Sequence, residues 1–120
     1  GITQVSSSDS RRCRDTVGPY ASARSLDIKM EPTVSEEQHL AQPESARQRV
    51  RDLALVSEPL VLCTHRPVMP SVMDALSDVF TVTSDGSNAF NPALTPGSMV
   101  VFQRQVNNLS RVIAVERHIH

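Results

Sequence analysis

Two short polar segments, each following a predicted strand, carry residue types that bind and transform phosphate. The first, residues 7–12, reads Ser-Ser-Asp-Ser-Arg-Arg and opens a predicted helix. A helix N-terminus presents free backbone N–H groups and the positive end of the helix dipole, and an arginine adds a fork that matches phosphate oxygens. The segment predicts an anion site that includes Ser8 and an arginine. An ordinary helix, capped by Ser8, Asp9 or Ser10 and carrying solvated arginines, is the alternative.

The second segment, residues 64–67, reads Thr-His-Arg-Pro and follows an apolar run at residues 60–63. In open α/β sheets, ligands bind beyond the carboxyl ends of the strands. His65 is therefore expected to share one crevice with the first segment, although a structural histidine would fit the same pattern. Glu36-Glu37, after another predicted strand, could protonate a leaving oxygen, or could be a solvated acidic pair.

The elements that must position these residues alternate along the chain. Apolar periodicity predicts strands at residues 2–5, 26–30 and 60–63, helices at 10–25, 44–58 and 69–80, and a final antiparallel hairpin from strands 99–102 and 112–115 turning near Asn107-Asn108. Gly18-Pro19 is expected to kink or divide the first helix. Residues 33–46 are predicted to be a loop with one short helix, and residues 81–97 a long surface loop.

This order predicts one α/β domain over residues 1–120, with a three-layer α/β/α architecture and a mostly parallel sheet. The continuous apolar run at 60–63 is typical of a central strand that is buried on both faces.

Five segments in this order resemble the histidine phosphatase superfamily, which is phosphoglycerate mutase-like. Residues 7–17 are similar to its SSPxxRxxxTA-like segment, residues 32–36 to the stretch that carries its acid, and residues 60–65 to its second-histidine segment, V-x-S-H-G. Residues 94–101 and 112–118 resemble the end of such domains where they are fused behind a MutT-type Nudix hydrolase.

The resemblance implies a phosphatase that hydrolyses a phosphomonoester or nucleotide through a phosphohistidine, accessory to a Nudix hydrolase. Arg12 would grip the phosphate, His65 would steady its charge, and Glu36 would be the proton donor, with Glu37 as the neighbouring alternative. A non-catalytic phosphate-binding or regulatory α/β module and a plain interaction domain are the other hypotheses.

Three departures from the family pattern bear on activity. Asp9 replaces the usual proline, and Arg66 replaces the usual glycine, where it either adds a phosphate contact or obstructs the pocket. The family's Arg-His motif would lie before Gly1, so the first strand and helix are expected to be missing and this chain alone to be inactive. Neither His39 nor Arg117-His118 supplies a convincing substitute nucleophile.

Bulk composition excludes several classes of partner. The 120 residues carry a net charge of −1, which gives no basic stripe for nucleic acid, and no apolar run approaches the ~18 residues of a membrane span. Cys13 and Cys63 are expected to be reduced, buried thiols of a cytoplasmic protein. No metal or cofactor is expected, since His118 and His120 lack further ligands nearby. A missing strand would leave a sheet edge exposed to self-association.

Overall fold

A short parallel sheet forms the first half of the chain. The computed structural model describes residues 1–83 and 88–119. Its first sheet has strand β1 (Gln4–Ser7) at the centre, with β2 (Ile28–Met30) on one side and β3 (Leu60–Cys63) on the other, both parallel to β1. Because all three strands run the same way, the polar segments after β1 and β3 emerge at one edge of the sheet.

In the part of the chain that the structure describes, four α-helices connect and cover the strands: α1 (Arg11–Ala23), α2 (Glu36–Ala41), α3 (Pro43–Ala54) and α4 (Met69–Val79). Of the three predicted capping residues for α1, Ser10 is the one that caps it, accepting a hydrogen bond from the Cys13 N–H. The helix continues through Gly18 and the exposed Pro19 and is not divided there. It ends with Ser25 in the left-handed region, φ 55°, and with the Leu26 N–H bonded back to the Ala21 carbonyl.

The apolar run of β3 reflects contacts on both faces of the strand. Val61 and Cys63 pack with Val5 of β1 and with α1, whereas Leu62 packs against a second cluster formed largely by α3 and α4. The prediction that β3 is central and fully buried is wrong. β1 takes the central place, and every residue of β3 is only half-buried because the second edge of β3 pairs with no strand in the described part of the chain.

A second sheet forms the other half of the chain, with strands in the order β4 (Thr81–Val82), β6 (Asn108–His118), β5 (Met99–Gln105). The predicted antiparallel hairpin is confirmed as β5 and β6, and β4 runs parallel to β6. Phe102 of β5 packs near Phe80 and Phe90, with ring centroids 5.6 and 5.9 Å apart. This cluster also contains the fully buried Val112.

The α/β fold class is confirmed, but a mostly parallel three-layer arrangement is not confirmed, because the described strands form one parallel and one mixed sheet. β4 lies inside the segment predicted to be a loop, of which residues 84–87 fall outside the described residues. α3 ends at Ala54, four residues before Glu58. In the described ranges, every helix is too short or too polar to cross a bilayer.

Arg104 joins the two halves. Its guanidinium donates to the carbonyls of Ala54 and Val56, each at 2.9 Å, and to that of Glu58 at 3.2 Å. These carbonyls lie at and just after the end of α3, where helix geometry leaves them without backbone partners. The predicted extension of α3 is thus replaced by an irregular segment, and the carbonyls there accept hydrogen bonds from a side chain of β5.

Candidate functional site

A buried run of serines marks the end of β1. Ser6, Ser7 and Ser8 all have 0% of their surface exposed. The parallel register places Ser7 opposite Cys63, and the Ser8 N–H continues the ladder by donating to the Cys63 carbonyl at 2.9 Å. Ser8 is therefore held against the residues that follow β3.

His65 lies between a hydroxyl and a carboxylate. Its Nε2 is 2.8 Å from Ser8 Oγ, and its Nδ1 is 3.6 Å from Glu36 Oε1. The first is a hydrogen-bond distance and the second an ion-pair distance. A ring protonated on Nδ1 suits both contacts, because Ser8 Oγ–H then donates to Nε2 while Nδ1–H faces the carboxylate. The imidazole is 11% exposed, so its orientation is well constrained.

Glu36 reaches His65 because the loop after β2 is tied down at several points. The Glu31 N–H donates to the Ser7 carbonyl at 2.7 Å, and the Thr64 hydroxyl donates to the Val34 carbonyl, also at 2.7 Å. Ser35 then caps α2, of which Glu36 is the first residue. Of the two acidic residues that the sequence left open, Glu36 is the one that approaches His65, while Glu37 is exposed.

A buried ion pair that sequence reasoning missed supports the same loop. The Glu31 carboxylate, on a residue that is only 5% exposed, accepts two hydrogen bonds from Arg49 of α3, at 2.6 and 2.7 Å. Hydrogen bonding to Glu31 raises the pKa of Arg49. The signal in the sequence was weak, since Arg49 stands among other arginines of an amphipathic helix.

Cys13 adds a thiol to this cluster. Its Sγ is 3.4 Å from the Thr64 carbonyl oxygen and 3.7 Å from His65 Nε2. A hydrogen bond from Cys63 lowers the pKa of Cys13 to about 5, although burial acts in the opposite direction. The same hydrogen bond and burial both raise the pKa of Cys63. Both thiols are free, but the prediction that both are buried is wrong for Cys63, which is half-buried because it lies at the end of an edge strand.

Arg12 and Arg66 lie next in sequence to this cluster and are exposed. Arg12 is the second residue of α1, and Arg66 opens a short 3-10 turn directly after His65. Within the described residues neither guanidinium has a hydrogen-bond or ion-pair partner, in contrast to Arg11, which pairs with Asp15 at 3.6 Å. The structure therefore brings Ser8 and Glu36 to the two edges of the His65 ring and leaves the two predicted phosphate-binding arginines exposed in the adjoining segments of the chain.

The other described histidines make hydrogen bonds elsewhere. His39 Nε2 is 2.7 Å from Ser71 Oγ, and His118 Nε2 is 3.1 Å from Glu116 Oε2. Across residues 1–83 and 88–119, no three His, Cys, Asp or Glu side chains are arranged to hold a metal ion. The His118–His120 pair considered from sequence involves His120, which lies outside the described residues.

Comparison with known proteins gives a partial relationship. No family model matches the chain. An 8-oxo-(d)GTP phosphatase of Mycolicibacterium smegmatis is 31% identical to it over 74 residues, a stretch that covers 62% of this chain and 23% of the relative. The chain thus matches less than a quarter of the length of this curated relative. The expected relationship to a nucleotide phosphatase is supported at this coarse level, and neither comparison shows the histidine phosphatase superfamily.

Proposed function

We propose that this chain supplies the phosphate-binding part of a histidine phosphatase-type domain that acts on a nucleotide or another phosphomonoester, accessory to a MutT-type Nudix hydrolase. The observation that carries the proposal is the contact of His65 with Ser8 on one ring edge and Glu36 on the other. The partial identity to an 8-oxo-(d)GTP phosphatase supports a phosphorylated nucleotide as the ligand.

The ring edge available to a ligand is the Nδ1 edge. Nε2 is engaged by the buried Ser8 hydroxyl, so a phosphoryl oxygen entering the site would accept from Nδ1–H and lie beside the Glu36 carboxyl. Glu36 is thereby assigned as the group that protonates a leaving oxygen, and His65 as a donor that stabilises charge on the phosphoryl group.

The leading turn of α1 supplies the positive potential that such a ligand requires. It contains Arg11 and Arg12 and no acidic residue, although acidic side chains are what normally stabilise a helix N-terminus. Positive charge placed on the positive end of the dipole costs stability and favours an anion. Arg12, unlike Arg11, has no ion-pair partner among the described residues, which supports its assignment to phosphate, and Arg66 is assigned to the same ligand.

Phosphohistidine chemistry needs a second histidine that forms the P–N bond. Since His39 and His118 are bonded elsewhere, the proposal assigns attack to a histidine outside this sequence. Within the described residues β3 is an edge strand of its open sheet, as β2 is, and the proposal places the strand that would carry this histidine beside β3. The hydrogen bonds of His39 and His118 also favour the second candidate, a phosphate-binding or regulatory module without catalysis.

Titration with inorganic phosphate or vanadate, followed by NMR at the His65 ring, tests the anion site. We expect saturable shifts at His65 that Arg12→Gln weakens by roughly tenfold or more, because a charge-assisted hydrogen bond contributes about 1.5–3 kcal/mol. Arg24→Gln removes the same charge at the other end of α1 and should leave the affinity unchanged. Equal losses in the two variants would refute the site.

Catalysis separates the two candidates. If the gene product that contains this chain hydrolyses a phosphomonoester and His65→Asn lowers kcat, the phosphatase assignment is supported. If that product binds phosphate at His65 without turnover, the binding module is the correct function.

A further inference from the structure

A pair of free thiols adjoins the candidate site and has no role in the proposed phosphate chemistry. Cys13 is the third residue of α1, and Cys63 is the last residue of β3. Cys13 lies on the buried face of α1 with Val17 and Ala21, and Cys63 packs from the sheet against the cluster that contains these two residues. The Cys13 sulfur is 3.4 Å from the carbonyl oxygen of Thr64, the residue after Cys63, so the two cysteines adjoin although they lie fifty residues apart in the sequence.

The surroundings of Cys13 favour a thiolate. Its sulfur is 3.7 Å from the His65 ring, it occupies the first turn of a helix, and Arg11 and Arg12 precede it in the same turn. Helix N-termini and neighbouring cationic or imidazole groups are the environments that make cysteines nucleophilic. Cys63 supplies the second requirement of a redox pair, a resolving thiol within reach.

We propose that Cys13 and Cys63 are a modification site, oxidised by peroxides to a reversible intramolecular disulfide. The Cys13 thiolate attacks one peroxide oxygen: an S–O bond forms, the O–O bond breaks, and the leaving hydroxide takes a proton to become water. Cys63 then loses its proton and attacks the Cys13 sulfur, so that the S–S bond forms and the sulfenic oxygen leaves with that proton as a second water. Two thiols and one peroxide give one disulfide and two waters, with no further reductant or oxidant.

The geometry allows the bond with small movements. A disulfide requires the sulfurs to approach to about 2.0 Å. Both side chains lie between α1 and the end of β3, so rotation of the Cys13 side chain away from Thr64 and His65 carries its sulfur toward Cys63. Cys13 is only 3% exposed, but Cys63 is half-buried at the sheet edge, which opens the pair to a small oxidant on that side. The proposal is independent of the phosphatase assignment.

Treatment of the reduced chain with hydrogen peroxide, followed by intact mass and non-reducing peptide mapping, tests the pair. The expected product has lost two hydrogens, contains a cross-linked peptide with Cys13 and Cys63, and returns to the starting mass with dithiothreitol. In Cys63→Ser, oxidation should stop at a Cys13 sulfenic acid that dimedone traps, whereas Cys13→Ser should give little adduct at Cys63.

Circular dichroism checks the fold of each variant, and Cys63→Ala replaces Cys63→Ser if the serine variant unfolds. The proposal is overturned if both thiols in the peroxide-treated wild type remain open to alkylation, if Cys13 passes to sulfinic acid without a cross-link, or if the disulfide forms only between two chains.

Discussion

The parallel sheet and the β5–β6 hairpin differ in what surrounds them. Around the carboxyl edge of the parallel sheet the buried groups are polar: three serines with 0% exposure, the Glu31 carboxylate and the Cys13 thiol. Around the hairpin the packing is apolar and aromatic, with Phe80 and Val112 buried and Phe102 between two other rings. Burial of polar groups costs free energy unless each is paired, so the first half carries a network that packing alone would not require.

Two arginines of the hairpin half differ in the same way from Arg12 and Arg66. Arg117 of β6 donates to the carbonyls of Asn88 and Asn91 at 2.9 and 2.6 Å, and Arg104 bonds three carbonyls near α3. Arg12 and Arg66, in the segments that carry Ser8 and His65, have no such partners in the described residues and are exposed. Guanidinium groups that are saturated by backbone are structural, and exposed ones in the segments of the candidate site are available to a ligand. The Arg117-His118 dipeptide therefore has a structural explanation.

The largest effect is expected in the hairpin half. Phe102→Ala removes the ring between Phe80 and Phe90 and should lower the free energy of unfolding by about 3 kcal/mol, the size typical of Phe to Ala at a packed site. Denaturant titration measures the loss. The affinity for phosphate, measured on protein that remains folded, should not change. Phe102→Leu should lose less, and a fall in phosphate affinity in either variant would contradict the separation of the halves.

The buried ion pair should link stability to the site. Arg49→Met leaves the Glu31 carboxylate buried without its partner and should cost about 2 kcal/mol, less than a fully buried pair because the Arg49 side chain is 39% exposed. It should also shift the NMR signals of His65, since Glu31 anchors the loop before Glu36. Arg47→Met, which breaks a 3.5 Å surface pair with Glu44, should change stability by no more than about 0.5 kcal/mol. Equal effects of Arg49→Met and Arg47→Met would refute the link between the buried ion pair and the site.

Removal of the Cys63 thiol should raise the pKa of Cys13. A hydrogen bond to a charged group contributes about 1.5–3 kcal/mol, so Cys63→Ala should raise that pKa by one unit or more, which the ultraviolet absorbance of the thiolate reports against pH. Because the folded pKa of about 5 lies below the unfolded value near 9, ionisation of Cys13 stabilises the fold fully above about pH 9, and this stabilisation declines to nothing as the pH falls from 9 to about 5. In Cys63→Ala this stabilisation should be lost at a higher pH. The control Ser45→Ala should leave the titration of Cys13 unchanged.

The smallest effect concerns the turn after α1, away from both cores. Ser25 holds φ at 55°, a conformation that costs an L-residue roughly 1 kcal/mol and glycine little. Ser25→Gly should therefore raise the free energy of unfolding by about 0.5 kcal/mol without altering phosphate binding. Ser22→Gly, inside the same helix, should instead destabilise by a similar amount, and stabilisation by both would show that the left-handed strain is not the cause.

Local pattern predicted the elements but not their assembly. Alternation and helical spacing located β1, α1, β2 and α4, and the position of Ser8 and His65 after parallel strands predicted that they lie together. The apolar run that predicted β3 also predicted the wrong place for it in the strand order. Apolar contacts on both faces of a strand do not require a neighbouring strand at both of its edges. The Glu31–Arg49 pair escaped notice since eighteen residues and a loop separate the partners, and nothing local distinguishes Arg49 from Arg47. The approach of Cys13 to the end of β3 depends on how α1 packs on the sheet, which short-range pattern does not encode.

The bonds of Arg104 have a kinetic consequence. They connect positions that are 46 to 50 residues apart in the chain, and such distant closures are entropically costly early in folding. We expect them to form after the barrier is crossed, so that Arg104→Met would accelerate unfolding far more than it would slow refolding. A single side chain from β5 would then control the unfolding rate, and with it the lifetime of the native state.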